Sequence, residues 1–191
     1  MRQIRNGVFE TNSSSTHSIA IPRSSDKPNH VSFHIGEFGW GWREADPADY
    51  FYTALYYVSD TKKEAEERLA KLISILRDNN VEYYLGEVSF IEREYNGTFY
   101  GSLENGYIDH GYELREFVDE LLNNGDKLLR FLGRGLVFTG NDNSDTEERC
   151  FVERDEEFLD DYDWHSKTSF KVKNPYYMSD HEDYEWYWKG N

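Results

Sequence analysis

Thr61 and Glu64 are spaced as a helix capping box, and Ala65, Leu69, Leu72, Ile73 and Leu76 follow as one apolar stripe, closed by Asn79-Asn80. A helix with a single apolar stripe is stable only when that stripe is buried against another layer. The flanking sequence supplies strands for that layer. Ser18-Ile19-Ala20-Ile21 and His30-Val31-Ser32-Phe33-His34-Ile35 alternate with period two. A strand-rich stretch runs from Val81 to about Ile108, with turns expected at Asn96-Gly97 and Asn105-Gly106. Both pairs suit hairpins, because Asn and Gly tolerate positive φ at the two central positions.

Three further helices are expected. Asp46-Pro47 reads as an N-cap followed by proline at the first helical position, with Phe51, Ala54, Leu55 and Val58 on one face. Leu114, Phe117, Val118, Leu121 and Leu122 form another face, ending at Asn124-Gly125. Asp126 is placed to cap a short helix through Leu132, stopped by Gly133. Leu136-Val137-Phe138-Thr139 and Phe170-Lys171-Val172-Lys173 read as strands. The order strands, helices, strands, helices, strand predicts an α+β fold with a mixed or antiparallel sheet and about four helices, not a regular βαβ fold. The 191 residues are enough for one domain with a real core, so residues 1–191 are expected to form a single domain. Hydrophobic residues make up 38% of the chain but aromatic residues 17%, which predicts a core built from rings and argues against disorder.

The net charge of −16 disfavours direct binding to nucleic acid or an anionic membrane. A lone cysteine, Cys150, excludes a disulfide framework within the chain. Met1 to Phe9 lacks a signal-peptide pattern and no apolar run reaches the length of a membrane span, so a cytoplasmic location is expected. The charge is polarised. Residues 1–35 carry four basic side chains against two acidic ones, whereas residues 140–191 carry fifteen acidic against six basic. From about residue 153 the chain is both acidic and aromatic, the composition either of a solubilising face or of a mimic of the nucleic-acid backbone.

Within the basic part lies Thr11-Asn12-Ser13-Ser14-Ser15-Thr16-His17-Ser18, eight residues without an apolar side chain. Val8-Phe9 and Ile19-Ala20-Ile21 bracket it, so the run is expected to be a tethered polar loop. Its hydroxyls and amides, with Arg5 nearby, are donors suited to a phosphate or carboxylate. His17 could donate to an anion or move a proton, and a Ser–His pair could form a nucleophile. A polar surface turn satisfying its own backbone is the alternative. Gly36-Glu37-Phe38-Gly39-Trp40-Gly41-Trp42 adds rings, Trp40 and Trp42, able to stack on a nucleobase, or else to pack a loop.

The opening run resembles that of a group of uncharacterised proteins, mostly from phages and prophages of Gram-positive bacteria, that begin R-x-G-V-F-E-T-N-S-S-S-T-H-S. Tyr107-Ile108-Asp109-His110 and Phe138-Thr139-Gly140-Asn141-Asp142-Asn143 are also similar to that group. The resemblance covers roughly residues 1–143 and carries no established activity, so it transfers no residue role. It implies a small phage accessory protein acting against a host pathway, in the cytoplasm of a bacterial host.

These features predict a non-enzymatic protein, without a cofactor, that binds a small phosphorylated ligand. A nucleotide is the expected ligand, held by Arg5, Asn12, Ser13, Ser14, Ser15, Thr16, His17 and Ser18 with Trp40 and Trp42. One alternative is an acidic nucleic-acid mimic that inhibits a basic host protein. Another is a metal-dependent phosphoesterase or nuclease using His17, Asp109 and His110. No metal site is expected. If one existed, Asp109, His110 and Asp142 with Glu37 are its candidate ligands, since no H-E-x-x-H, cysteine pair or EF-hand spacing occurs. Gly140 to Asp145 reads as a turn, and His30 and His34 share one face of their strand.

Overall fold

Two tyrosines, a phenylalanine and a threonine between Tyr50 and Thr53 determine the centre of the molecule. In a computed structural model, which describes residues 15–39, 43–109, 114–141, 158–163, 166–173 and 184–190, helix α1 (Pro47–Tyr57) is buried on all sides. The predicted face of Phe51, Ala54, Leu55 and Val58 is buried, but so are Tyr50, Tyr52, Thr53 and Tyr56. A helix apolar all round belongs inside a fold, provided its polar tips find partners. The Tyr52 hydroxyl donates to Gly86 O (3.3 Å), and Thr53 Oγ1 donates to Asp49 O (2.8 Å) and accepts from Gly36 N (3.0 Å). Asp46 caps the helix as expected, its Oδ1 accepting from Ala48 N at 2.8 Å and Asp49 N at 3.2 Å.

Helix α2 (Lys62–Asp78) starts at the predicted N-cap: Thr61 Oγ1 accepts from Glu64 N at 3.1 Å, but Glu64 Oε2 accepts from Asp60 N at 2.8 Å and not from the Thr61 N that a capping box uses. Its buried stripe differs by one residue, with Ile75 rather than Ile73 packed against the core beside Ala65, Leu72 and Leu76. Helices α3 (Leu114–Asn123) and α4 (Gly125–Arg134) follow. Asn124, not Asp126, caps α4, because its side chain reaches Lys127 N at 3.1 Å, and the helix continues through Gly133 to Arg134. Phe51, Phe117 and Phe131 join α1, α3 and α4 edge to face, with centroids 5.4 to 6.4 Å apart. The ring-rich composition becomes this core.

The strands number twelve among the described residues: β1 (Ser15–Pro22), β2 (His30–Phe33), β3 (Glu37–Phe38), β4 (Arg43–Ala45), β5 (Glu82–Leu85), β6 (Phe90–Tyr95), β7 (Thr98–Leu103), β8 (Tyr107–Ile108), β9 (Leu136–Asn141), β10 (Phe158–Asp163), β11 (Thr168–Lys173) and β12 (Tyr184–Gly190). The fold is α+β. Its main sheet is antiparallel in the order β12-β1-β9-β4, while β2 pairs with β5 and β3 with β8 in parallel. Ile19, Ile21, Ala45 and Val137 turn from the main sheet into the core, and the opposite-facing Ser18, Ala20 and Phe138 are buried as well. Among the described residues, no helix is long and apolar enough to cross a membrane.

Three expectations change. Asn96-Gly97 does form the predicted hairpin turn, with φ of 51° and 77°, but Asn105-Gly106 does not. There the Asn105 side chain bridges Ser89 N (3.0 Å) and Glu87 O (3.1 Å). Gly106 is needed for close approach, since a Cβ would stand 2.6 Å from Gly36 O. Ser15 to Ser18 of the polar run are strand and not loop: β1 starts at Ser15, three residues before the predicted strand, and Thr11 to Ser14 lie outside the described residues. The C-terminal region contributes β12, an edge strand of the main sheet.

Candidate functional site

The cross-strand register builds one end of the main sheet. Arg43, Thr139, His17 and Gly190 lie in one row, and Ser15 pairs with Asn141 one step beyond Thr16 and Gly140. Neighbouring strands are about 4.8 Å apart, so the start of β4 stands roughly 10 Å from β1 across β9. This end is therefore where the chain enters from the polar run, enters from the Gly-Trp segment, and leaves towards Asp142.

His17 locks the arrangement. It is fully buried, and Nε2 lies 2.6 Å from Asp109 O, at the end of β8. A carbonyl only accepts, so Nε2 carries the proton, and Nδ1 is left to accept from the Tyr50 hydroxyl at 3.1 Å. Burial, with Tyr57 adding to it, pushes the Tyr50 phenol well above its ordinary range, so the hydroxyl keeps the proton that it donates. Asp109 N in turn donates to Phe38 O at 2.9 Å, one residue before Gly39 and the Trp40–Trp42 segment. One neutral imidazole thus couples β1, β8 and α1, and through Asp109 couples β3.

Of the predicted site residues, Ser15, Thr16, His17 and Ser18 lie on β1. Ser18 is buried on the face opposite His17, so the four do not form one donor array. Arg5, Asn12, Ser13, Ser14, Trp40, Trp42, His110 and Asp142 lie outside the described residues. His17 spends both ring nitrogens within the fold, which makes it an anchor of the site and not a donor to a ligand. Among the described residues, no group of three or more His, Cys, Asp or Glu could hold a metal ion. Sequence reasoning missed Tyr50 and the buried Thr139. A tyrosine flanked by Phe51 and Tyr52 in a helix without a polar face was the available signal for the first.

Two clefts flank the start of α1. One of about 470 Å³ is lined by Glu37, Glu44, Asp46, Asp49 and Asn105 among others. The second, about 270 Å³, holds His30, Ser32 and His34 together with Asp46 and Asp49. His30 and His34 share this cleft, in line with their predicted common face. Asp49 Oδ1 accepts from His34 N at 2.8 Å and lies 3.1 Å from its Nδ1. The carboxylates make both clefts hostile to phosphate and suited to cations. At the sheet end Arg43 lies in the His17 row, and one row further in the register runs Lys189, Ser18, Phe138 and Glu44. No protein-family model, no curated protein and no solved structure matches the chain.

Proposed function

We propose that this chain binds a small phosphorylated ligand, a nucleotide, at the end of the main sheet where the polar run and the Gly-Trp segment attach. The observation that carries this reading is the register itself. Ser15, Arg43 and Asn141 bring the attachment points of a hydroxyl-rich segment, a tryptophan-rich segment and an amide-rich segment to one sheet end. Hydroxyls and main-chain amides suit the phosphate, and a tryptophan suits the base. Arg43 in the His17 row, with Arg2 and Arg5 in sequence, adds basic residues to this part of a chain of net charge −16. The resemblance of the opening run supplies the context: a phage accessory protein that sequesters a nucleotide in the host cytoplasm.

Because His17 is an anchor, the clean test changes residues beyond it. In calorimetric titrations against a panel of nucleotides, Asn12→Ala with Ser14→Ala is expected to weaken binding at least tenfold, a loss of about two hydrogen bonds. Trp42→Ala is expected to do the same, and both variants should melt like the parent protein. Unchanged affinity in both variants would remove the reading.

A second reading is favoured by one observation, the carboxylate lining of both clefts beside α1. We infer from it an acidic surface that engages a basic host protein and competes with that protein's nucleic acid. Glu37→Lys with Glu44→Lys should weaken a complex that is itself salt-sensitive. Cross-strand register tempers the part assigned to the acidic tail, since Asp160 stands opposite Lys171.

A further inference from the structure

The β6–β7 hairpin exposes three large aromatic side chains. Tyr95 is 70% exposed, Tyr100 53% and Phe99 46%. Among the described residues, β7 pairs only with β6, so its other edge presents unpaired main-chain groups. The two-residue turn makes Tyr95 and Thr98 the closing hydrogen-bonded pair. Thr98, Tyr100 and Ser102 therefore turn their main-chain groups towards β6, and Phe99, Gly101 and Leu103 turn theirs outwards.

The two edges differ in what they permit. Two copies joined edge to edge by a two-fold axis perpendicular to the sheet keep every residue on its own face. Only residues separated by an even number then stand opposite one another. Registers of β6 centred on Glu92, Arg93 or Glu94 set like charges together: Glu92 against Glu92, Arg93 against Arg93 with Glu92 against Glu94, or Glu94 against Glu94. Strand β7, Thr-Phe-Tyr-Gly-Ser-Leu, has no charge at all. It also lacks the lysine, proline or bulge that ordinarily blunts an edge. In a protein of net charge −16, a neutral and exposed edge is where two copies can approach.

We propose that the chain forms a two-fold dimer through antiparallel β7–β7 pairing centred on Tyr100. Tyr100 then faces Tyr100 of the partner subunit. The outward main-chain groups of Phe99 bond those of Gly101 of the partner subunit. This register uses the tip half of the hairpin, where Thr98, Phe99 and Tyr100 are all exposed. The side-chain position of Gly101 is filled by the core, since a Cβ there would lie 2.3 Å from Ser59 O.

Sedimentation velocity from about 5 to about 500 μM covers the affinity expected of so small an interface. The full-length protein should shift from monomer to dimer across that range. Phe99→Pro removes an outward N–H that β6 does not use, and should raise the dissociation constant at least tenfold. Glu94→Lys, on the other edge, should not alter it. Tyr100→Lys and Tyr100→Glu should each be monomeric, and an equimolar mixture of the two should form a heterodimer. A monomer at every concentration would overturn the proposal. So would a dimer indifferent to Phe99→Pro, a dimer lost with Glu94→Lys, or a charge-swapped pair that fails to associate although both variants are folded by circular dichroism.

Discussion

Replacing His17 with alanine is expected to destabilise the protein by about 4 kcal/mol, combining the loss of a buried ring with two stranded hydrogen-bonding partners. The midpoint of thermal unfolding should fall by roughly 10 °C. The cost arises because the imidazole sits at zero exposure between the Tyr50 hydroxyl and the Asp109 carbonyl. Tyr50→Phe removes only the hydroxyl and should cost roughly 1–2 kcal/mol. His17→Gln keeps a donor and an acceptor and should fall between the two. If His17→Ala instead unfolded with the parent protein's midpoint and lost only ligand, the imidazole would be a ligand group and not an anchor.

Arg68→Ala carries the second large effect, about 2–3 kcal/mol measured by urea denaturation. That is below the roughly 3–5 kcal/mol of a fully buried pair, because the partners are only partly stranded. The guanidinium donates from Nε to Asp119 Oδ1 (3.0 Å), from Nη2 to Asp119 Oδ2 (3.3 Å) and from Nη1 to Ser59 Oγ (3.1 Å). It also pairs with Glu64 within α2 at 2.7 Å, while its bonds to Asp119 join α2 to α3. Asp119, 46% exposed, can rehydrate, and Arg115 still holds Glu64 at 2.7 Å. The same network sets an acid dependence. Burial raises the Glu64 pKa, but the Asp60 amide with Arg68 and Arg115 outweighs it and holds the carboxyl below its ordinary value. A carboxyl depressed in the folded state contributes stability above its unfolded pKa and loses it as pH falls through the folded one. Acid unfolding of the parent should therefore include this group, and Arg68→Ala should move the acid midpoint to higher pH.

Local chemistry made much of the fold legible. The Asp46-Pro47 cap, the Thr61 cap and the Asn96-Gly97 turn are each set by residues within four positions of one another, and each forms as the sequence implies. Long-range features were hidden. Gly106 resembles a hairpin glycine but is required by Gly36, seventy residues earlier in the chain. Tyr50 is unremarkable in sequence, and only its contact with His17 gives it a role. The polar run read as a loop because Ser15 to Ser18 lack apolar side chains, yet neighbours on both edges, β9 and β12, draw them into a strand. Pairing partners override weak propensity in a central strand. For the candidate site, the residue types were legible and their convergence was not, since it depends on β1, β4 and β9 sharing one sheet end.

The central claim, a phosphorylated ligand held at that sheet end, is tested most directly by native mass spectrometry of the full-length protein purified from the cell that produces it. The reading predicts an added mass equal to a nucleotide, released on denaturation and absent from the Asn12→Ala, Ser14→Ala variant purified in parallel. A bare chain mass that stays bare after incubation with a panel of nucleoside mono-, di- and triphosphates would contradict it.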